Sequence, residues 1–80
     1  MLALTEKPLV NLRIDIDRED DGRWIADVLD LPGVLAYGAT RSAAVTAVKA
    51  LALRVLADQL DAGELQSDSL SDVHFISAAA

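Results

Sequence analysis

The sequence predicts an α+β domain in the order β-β-β-α-β, an antiparallel sheet with one long helix packed on one of its faces. Three observations carry this. Residues 10–17 alternate Val10, Leu12, Ile14 and Ile16 against Asn11, Arg13, Asp15 and Asp17, the period-two signature of a half-buried strand. Asp21-Gly22 then marks a hairpin, because glycine accepts the positive φ that a tight turn requires. Residues 41–62 hold a helical apolar period too long for any strand.

Each element follows from local chemistry. The second strand is residues 24–29. Burying Asp27 unpaired is costly, so Trp24, Ala26 and Val28 face the core, and Ile25, Asp27 and Leu29 form a mixed outer face. Pro32 removes a donor and fixes φ, so the run Asp30-Leu31-Pro32-Gly33 breaks the strand. A short third strand occupies residues 34–39, with Gly38 at a bend or bulge. Thr40 has a hydroxyl suited to capping the helix that follows. At about 1.5 Å per residue that helix spans roughly 33 Å, enough to cross a small sheet. Gly63 suits its C-terminal end. Residues 64–71 are a polar loop, and Val73 and Phe75 open a fourth strand of about five residues.

The helix holds more apolar surface than one sheet can cover. Val45, Val48, Leu51, Ala52, Val55 and Leu56 share a face, and Leu53 and Leu60 widen it to about 200° at ~100° per residue. A stripe a little over ~100° wide suffices for a single sheet. The excess predicts a homo-oligomer contact at Leu53 and Leu60. Lys49 falls inside the arc, where only its stem can be apolar, and joins them as an expected interface residue.

Eighty residues allow one domain, here 1–80, with 1–7 and 77–80 as loose tails. Such a small core leaves stability marginal, and association is the expected supplement. A hydrophobic content of 52% argues against disorder. There is no cysteine, which excludes disulfides and thiolate metal sites and fits a cytoplasmic protein. No apolar run reaches the ~20 residues of a membrane span, and residues 1–5 lack the features of a signal peptide. The net charge of −6 repels phosphate, so nucleic acid is not an expected partner and a basic protein is favoured.

Catalytic, cofactor and metal sites are not expected. The densest carboxylates are Asp15, Asp17, Glu19, Asp20 and Asp21, with Asp27 near them. Hard cations use such oxygens, but acidic hairpin ends are ordinary turn chemistry, and further ligands are lacking. His74, the only histidine, has no nucleophile or orienting acid at a telling spacing. None of the phosphate-loop, nucleophile-elbow or zinc motifs occurs.

Residues 20–40 also resemble a known family. The acidic-Gly turn, Trp24, Ala26, Asp30-Leu31-Pro32-Gly33 and Gly38-Ala39-Thr40 before an Ala-rich helix are similar in order and spacing to the HicB family of antitoxins. The chain departs from that pattern at Arg23, where a second Gly is usual, at Leu29, where Pro is usual, and at Ser42-Ala43-Ala44-Val45, where Glu-Ala is usual. The resemblance covers about residues 10–62. It implies a truncated ribonuclease-H-like sheet, homo-oligomers, and a partner: a small basic RNA-cleaving toxin of the HicA type, neutralised by protein–protein contact. Antitoxins of the family also carry a C-terminal DNA-binding domain, and this chain ends at Ala80 after its fourth strand with no such domain, so operator binding is not expected. The likeness to ribonuclease H is one of fold only. The residues expected to meet a basic partner are Asp15, Asp17 and Asp27, on the sheet face away from the helix, with Arg13 sharing that face and partly offsetting them. The alternatives are a stand-alone oligomerising or regulatory module without a toxin and, further off, a metal-dependent nuclease.

Overall fold

The computed structural model describes residues 9–65 and 72–77, with the side chains of residues 9, 10 and 72 outside that description. Five elements follow in order: β1 (Leu9–Arg18), β2 (Trp24–Val28), β3 (Leu35–Gly38), α1 (Arg41–Asp61) and β4 (Asp72–Ser77). The strands form one sheet in the order β3-β2-β1-β4. β1, β2 and β3 are an antiparallel meander, with Ile14 opposite Val28 and Ala26 opposite Ala36. β4 lies against the free side of β1 and runs parallel to it, so the sheet is mixed. A parallel return needs a long crossover, and α1 provides it, carrying the chain from β3 at one edge to β4 at the other.

The elements form where the sequence places them. The β1–β2 turn is closed by Glu19 N–H donating to Arg23 O at 2.7 Å and Gly22 N–H donating to Glu19 O at 2.9 Å. Gly22 sits at φ +93°, a conformation that a Cβ would disfavour. Asp21 accepts from the Arg23 N–H at 3.0 Å and pairs with its Nε at 2.8 Å. Chiefly through that main-chain bond, the Asp21 carboxyl is held below the usual carboxylate range. At the other end of β2, Leu31 to Val34 close a second turn, and Val34, expected in β3, lies buried just before it.

The core is apolar throughout: Leu12, Ile14, Ala26, Val28, Val34, Ala44, Val48, Ala52 and Leu56, with no buried polar side chain among the described residues. The inward faces of β1 and β2 are those the alternation predicts, although Ile16 and Trp24 are only half-buried. The burial of Val10 lies outside the described residues, as do the expected leader, most of the polar loop and the tail beyond Ser77. Ser77, expected in that tail, is the last residue of β4. On the helix the buried positions recur every four residues, at Ala44, Val48, Ala52 and Leu56. Val55, expected among them, is half-buried at the margin. The helix lies over β2 and β3 and meets β1 only slightly.

Thr40 caps α1 as its side chain suggests: its backbone is extended, and its Oγ1 accepts the Ala43 N–H at 3.0 Å. Because no acidic residue in the first turn reinforces the helix there, Thr40→Ala is expected to cost about 0.5–2 kcal/mol. Urea denaturation of the two proteins checks this, and Thr40→Asn should recover most of the loss.

Candidate functional site

The face of the sheet away from α1 has no layer over it among the described residues, and strand parity decides what it shows. From β1 come Asn11, Arg13, Asp15 and Asp17; from β2, Ile25 and Asp27; from β3, Leu35 and Tyr37; from β4, His74 and Ile76. Asp15 stands directly opposite Asp27. Side chains so placed have Cβ atoms about 4.5–5.5 Å apart, and like charges in that relation destabilise a sheet. Asp17, one pair further along the same face, is opposite Ile25 and uses one carboxylate oxygen to accept the N–H of Arg18 at 2.8 Å. Among the described residues no lysine or arginine forms an ion pair with Asp15, Asp17 or Asp27.

Arg13 shares this face, as expected, but its charge is already engaged. Asp30, on the turn after β2, reaches back over β1, accepting the Arg13 main-chain N–H at 2.8 Å and its guanidinium NH2 group at 2.8 Å. Leu29 N–H donates to Arg13 O at 2.9 Å and fixes the approach. The side-chain bond, reinforced by the charges, raises the Arg13 pKa and holds the Asp30 carboxyl below its usual range. The offset that Arg13 was expected to give the other aspartates therefore goes to Asp30. Asp15 and Asp17 are left exposed and Asp27 half-buried, with no cationic partner among the described residues.

An apolar border flanks the acid centre. Leu29, Leu35, Tyr37 and Ile76 are each 40–45% exposed, and Ile25 is half-buried opposite Tyr37. The Arg23 guanidinium lies 4.5 Å from the Tyr37 ring centre, a cation–π contact at the rim. Sequence reasoning recognised the mixed outer face of β2 but left out Leu35 and Tyr37. Their signal was the period-two spacing of Leu35 and Tyr37 against Val34 and Ala36.

No group of three or more His, Asp or Glu side chains among the described residues could hold a metal ion. His74 is exposed on β4 beside Asn11 of β1. Among the described residues, no helix is long and apolar enough to cross a membrane. What this face offers chemically is recognition: a fixed row of carboxylates with large apolar side chains on both sides.

The expected oligomer residues lie on the other side of the molecule. Leu53 and Leu60 are 50% and 37% exposed, so the sheet does leave them uncovered. Lys49 reaches toward β4, its Nζ 5.6 Å from the Phe75 ring centre.

Comparisons of the chain with family models, with curated proteins and with solved structures found no match.

Proposed function

We propose that this protein is an antitoxin-like binding module of the cytoplasm, which neutralises a small basic RNA-cleaving toxin of the HicA type by covering it. It acts by occlusion and performs no catalysis. The open sheet face is the contact surface, with Asp15, Asp17 and Asp27 meeting cationic side chains of the toxin and Leu35, Tyr37 and Leu29 packing around them. Arg13 contributes through its pair with Asp30, which orients the turn at the edge of the patch.

One observation carries this reading. Asp15 and Asp27 form a directly opposed like-charge pair on an exposed strand face. Such a pair works against the sheet, and no cation within the described chain relieves it. A local cost that brings the fold no benefit marks a position kept for another purpose. A basic partner supplies the missing positive charge. The acidity of the whole chain supports the same partner, and so do the residues of the resemblance, Asp30-Leu31-Pro32-Gly33 and Gly38-Ala39-Thr40.

The test is association with a HicA-type toxin by stopped-flow at low salt. Asp15→Lys combined with Asp17→Lys should slow association by about tenfold or more and flatten its salt dependence, since steering acts mainly on the on-rate. The melting temperature should stay the same or rise slightly, because the Asp15–Asp27 repulsion is removed. A double mutant that associates and protects RNA as fast as the parent would overturn this reading. Failure of the parent itself to bind such a toxin would leave the stand-alone module as the better account.

A further inference from the structure

We infer that the groove between the first half of α1 and the β1–β4 half of the sheet is a binding site for a small organic carboxylate, one whose apolar body is about the size of a single ring. This inference is independent of the open-face reading: the groove is on the helix side of the sheet and shares no residue with the acidic patch.

The groove follows from the way the helix sits. α1 lies over β2 and β3 and meets β1 only slightly, which leaves a gap on the inner face beside β1 and β4. Ile16 and Phe75 are half-buried there, and so is Val45 on the flank of α1 that faces them. Together they wall a groove of about 170 Å³, open to solvent among the described residues. A cavity of about 150 Å³ lined by such side chains takes a benzene molecule, so this one has room for a ring or a chain of about six carbons.

The polar groups of the groove are two cations and a hydroxyl, Arg41, Lys49 and Ser77, and no acidic residue lines it. In a chain with 13 acidic against 7 basic residues, that reverses the overall balance. Helical spacing brings the cations together. Arg41, Val45 and Lys49 are four residues apart, so they form one ridge along α1 with a cation on each side of Val45. The two cationic positions are about 12 Å apart along the axis, and both side chains are long enough to reach a group held over Val45.

Neither cation is neutralised. Arg13 is held by Asp30 and Arg23 by Asp21, but Arg41 and Lys49 form no ion pair among the described residues. Lys49 has its Nζ 5.6 Å from the Phe75 ring centre, near the outer limit of a cation–π contact, so a carboxylate can draw it away at little cost. Arg41 opens α1, whose first turn carries no acidic residue. The positive end of the helix dipole is therefore uncompensated and adds to the two side chains in favouring an anion. A guanidinium also presents two parallel N–H donors, which match the two oxygens of a carboxylate.

Shape and charge together define the two parts of the ligand. Its carboxylate accepts from the Arg41 guanidinium and the Lys49 ammonium above Val45. Its apolar body lies against Ile16 and Phe75 and removes their exposed surface from water. An inorganic anion uses only the first of these contacts, and a neutral apolar molecule only the second. The bound ligand also ties α1 to the two strands it scarcely meets, so binding stabilises the fold.

The experiment is titration of the full, nitrogen-15-labelled chain with phenylacetate, read by amide shifts, filtered NOE spectra and thermal denaturation. The expected Kd is about 1 mM or tighter, the order that a ligand of about ten heavy atoms reaches. Shifts should concentrate at residues 14–16, 41–49 and 75–77, with intermolecular NOEs from the ring to Ile16 and Val45 methyls. At ten times Kd the melting temperature should rise by about 5 °C or more. 2-Phenylethanol, acetate and inorganic phosphate should each bind at least tenfold more weakly. Arg41→Gln combined with Lys49→Gln, both at exposed positions, should keep the fold and abolish the preference for phenylacetate over 2-phenylethanol. The inference is overturned if phenylacetate gives no saturable shift up to 20 mM, or if 2-phenylethanol binds as well. Acetate or phosphate reproducing the same shifts at the same concentrations would overturn it too, since charge alone would then account for them. So would a double variant that still prefers phenylacetate.

Discussion

Ile14→Ala is expected to cost about 2–5 kcal/mol, the range for removing a large aliphatic side chain from a packed core. Ile14 is 3% exposed. It sits at the middle of β1, opposite Val28 on one side and Ser77 on the other, so its strand is the one that holds both halves of the sheet together. Every buried side chain described in this core is apolar, so the removed methyl and methylene groups leave apolar neighbours behind. A domain of this size has a total stability of only several kcal/mol. The variant should therefore show a sharply lower urea midpoint, with a measurable unfolded fraction before denaturant is added. Ile14→Val, one methylene smaller, should lose about 0.5–1.5 kcal/mol. An Ile14→Ala variant melting within a few tenths of a kcal/mol of the parent would remove this residue from the core.

Much of this architecture is legible in the sequence because its signals are local. The alternation of Leu12, Ile14 and Ile16, the Asp21-Gly22 turn, the Thr40 cap and the long apolar helical period each depend on residues within a few positions of one another. What could not be read is set by pairing at a distance. β4 has a strand pattern, but nothing in Val73-His74-Phe75-Ile76 states that it joins β1, or that it does so in parallel. The same limit hid the path of α1 over β2 and β3, and with it the half-open inner face beside β4. For the candidate site, parity alone placed Asp15, Asp17 and Asp27 on one face. The direct opposition of Asp15 and Asp27 needed the hairpin register, and the capture of Arg13 by Asp30 needed the turn at Asp30 to fold back over β1. That turn changes the reading of the patch, because it withdraws the one cation that sequence parity had assigned to the acidic row.

Gly38→Ala is the second substitution expected to be severe, for a reason the sequence disguises. A glycine before a helix cap reads as a bend, yet Gly38 is an ordinary member of β3, opposite Trp24 in the ladder. What it supplies is space. A Cβ built there meets the main-chain nitrogen of Ala44 in outright overlap, with Ala43 C at 2.8 Å and Ala43 Cβ at 2.9 Å. The first turn of α1 thus rests directly on the β3 backbone. This close approach is why the chain can pass from Gly38 through Ala39 to the Thr40 cap with no longer connection. The two nearest atoms in the way are main chain, and they belong to a turn pinned by the bond from Ala43 N–H to Thr40 Oγ1 and by Ala44 N–H donating to Thr40 O at 3.0 Å. They cannot rotate aside as a flexible side chain could. Either the helix N-terminus lifts from the sheet, uncovering Ala44 and Val48, or the cap breaks. Overpacking of this kind costs about 1–3 kcal/mol and sometimes more; with two rigid main-chain neighbours the upper part of that range is expected here. Thermal denaturation gives the size of the loss, and amide exchange at residues 43–48 tells whether the helix start is where it falls. A Gly38→Ala protein as stable as the parent, with its first helical turn equally protected, would show that β3 and α1 are not in direct backbone contact.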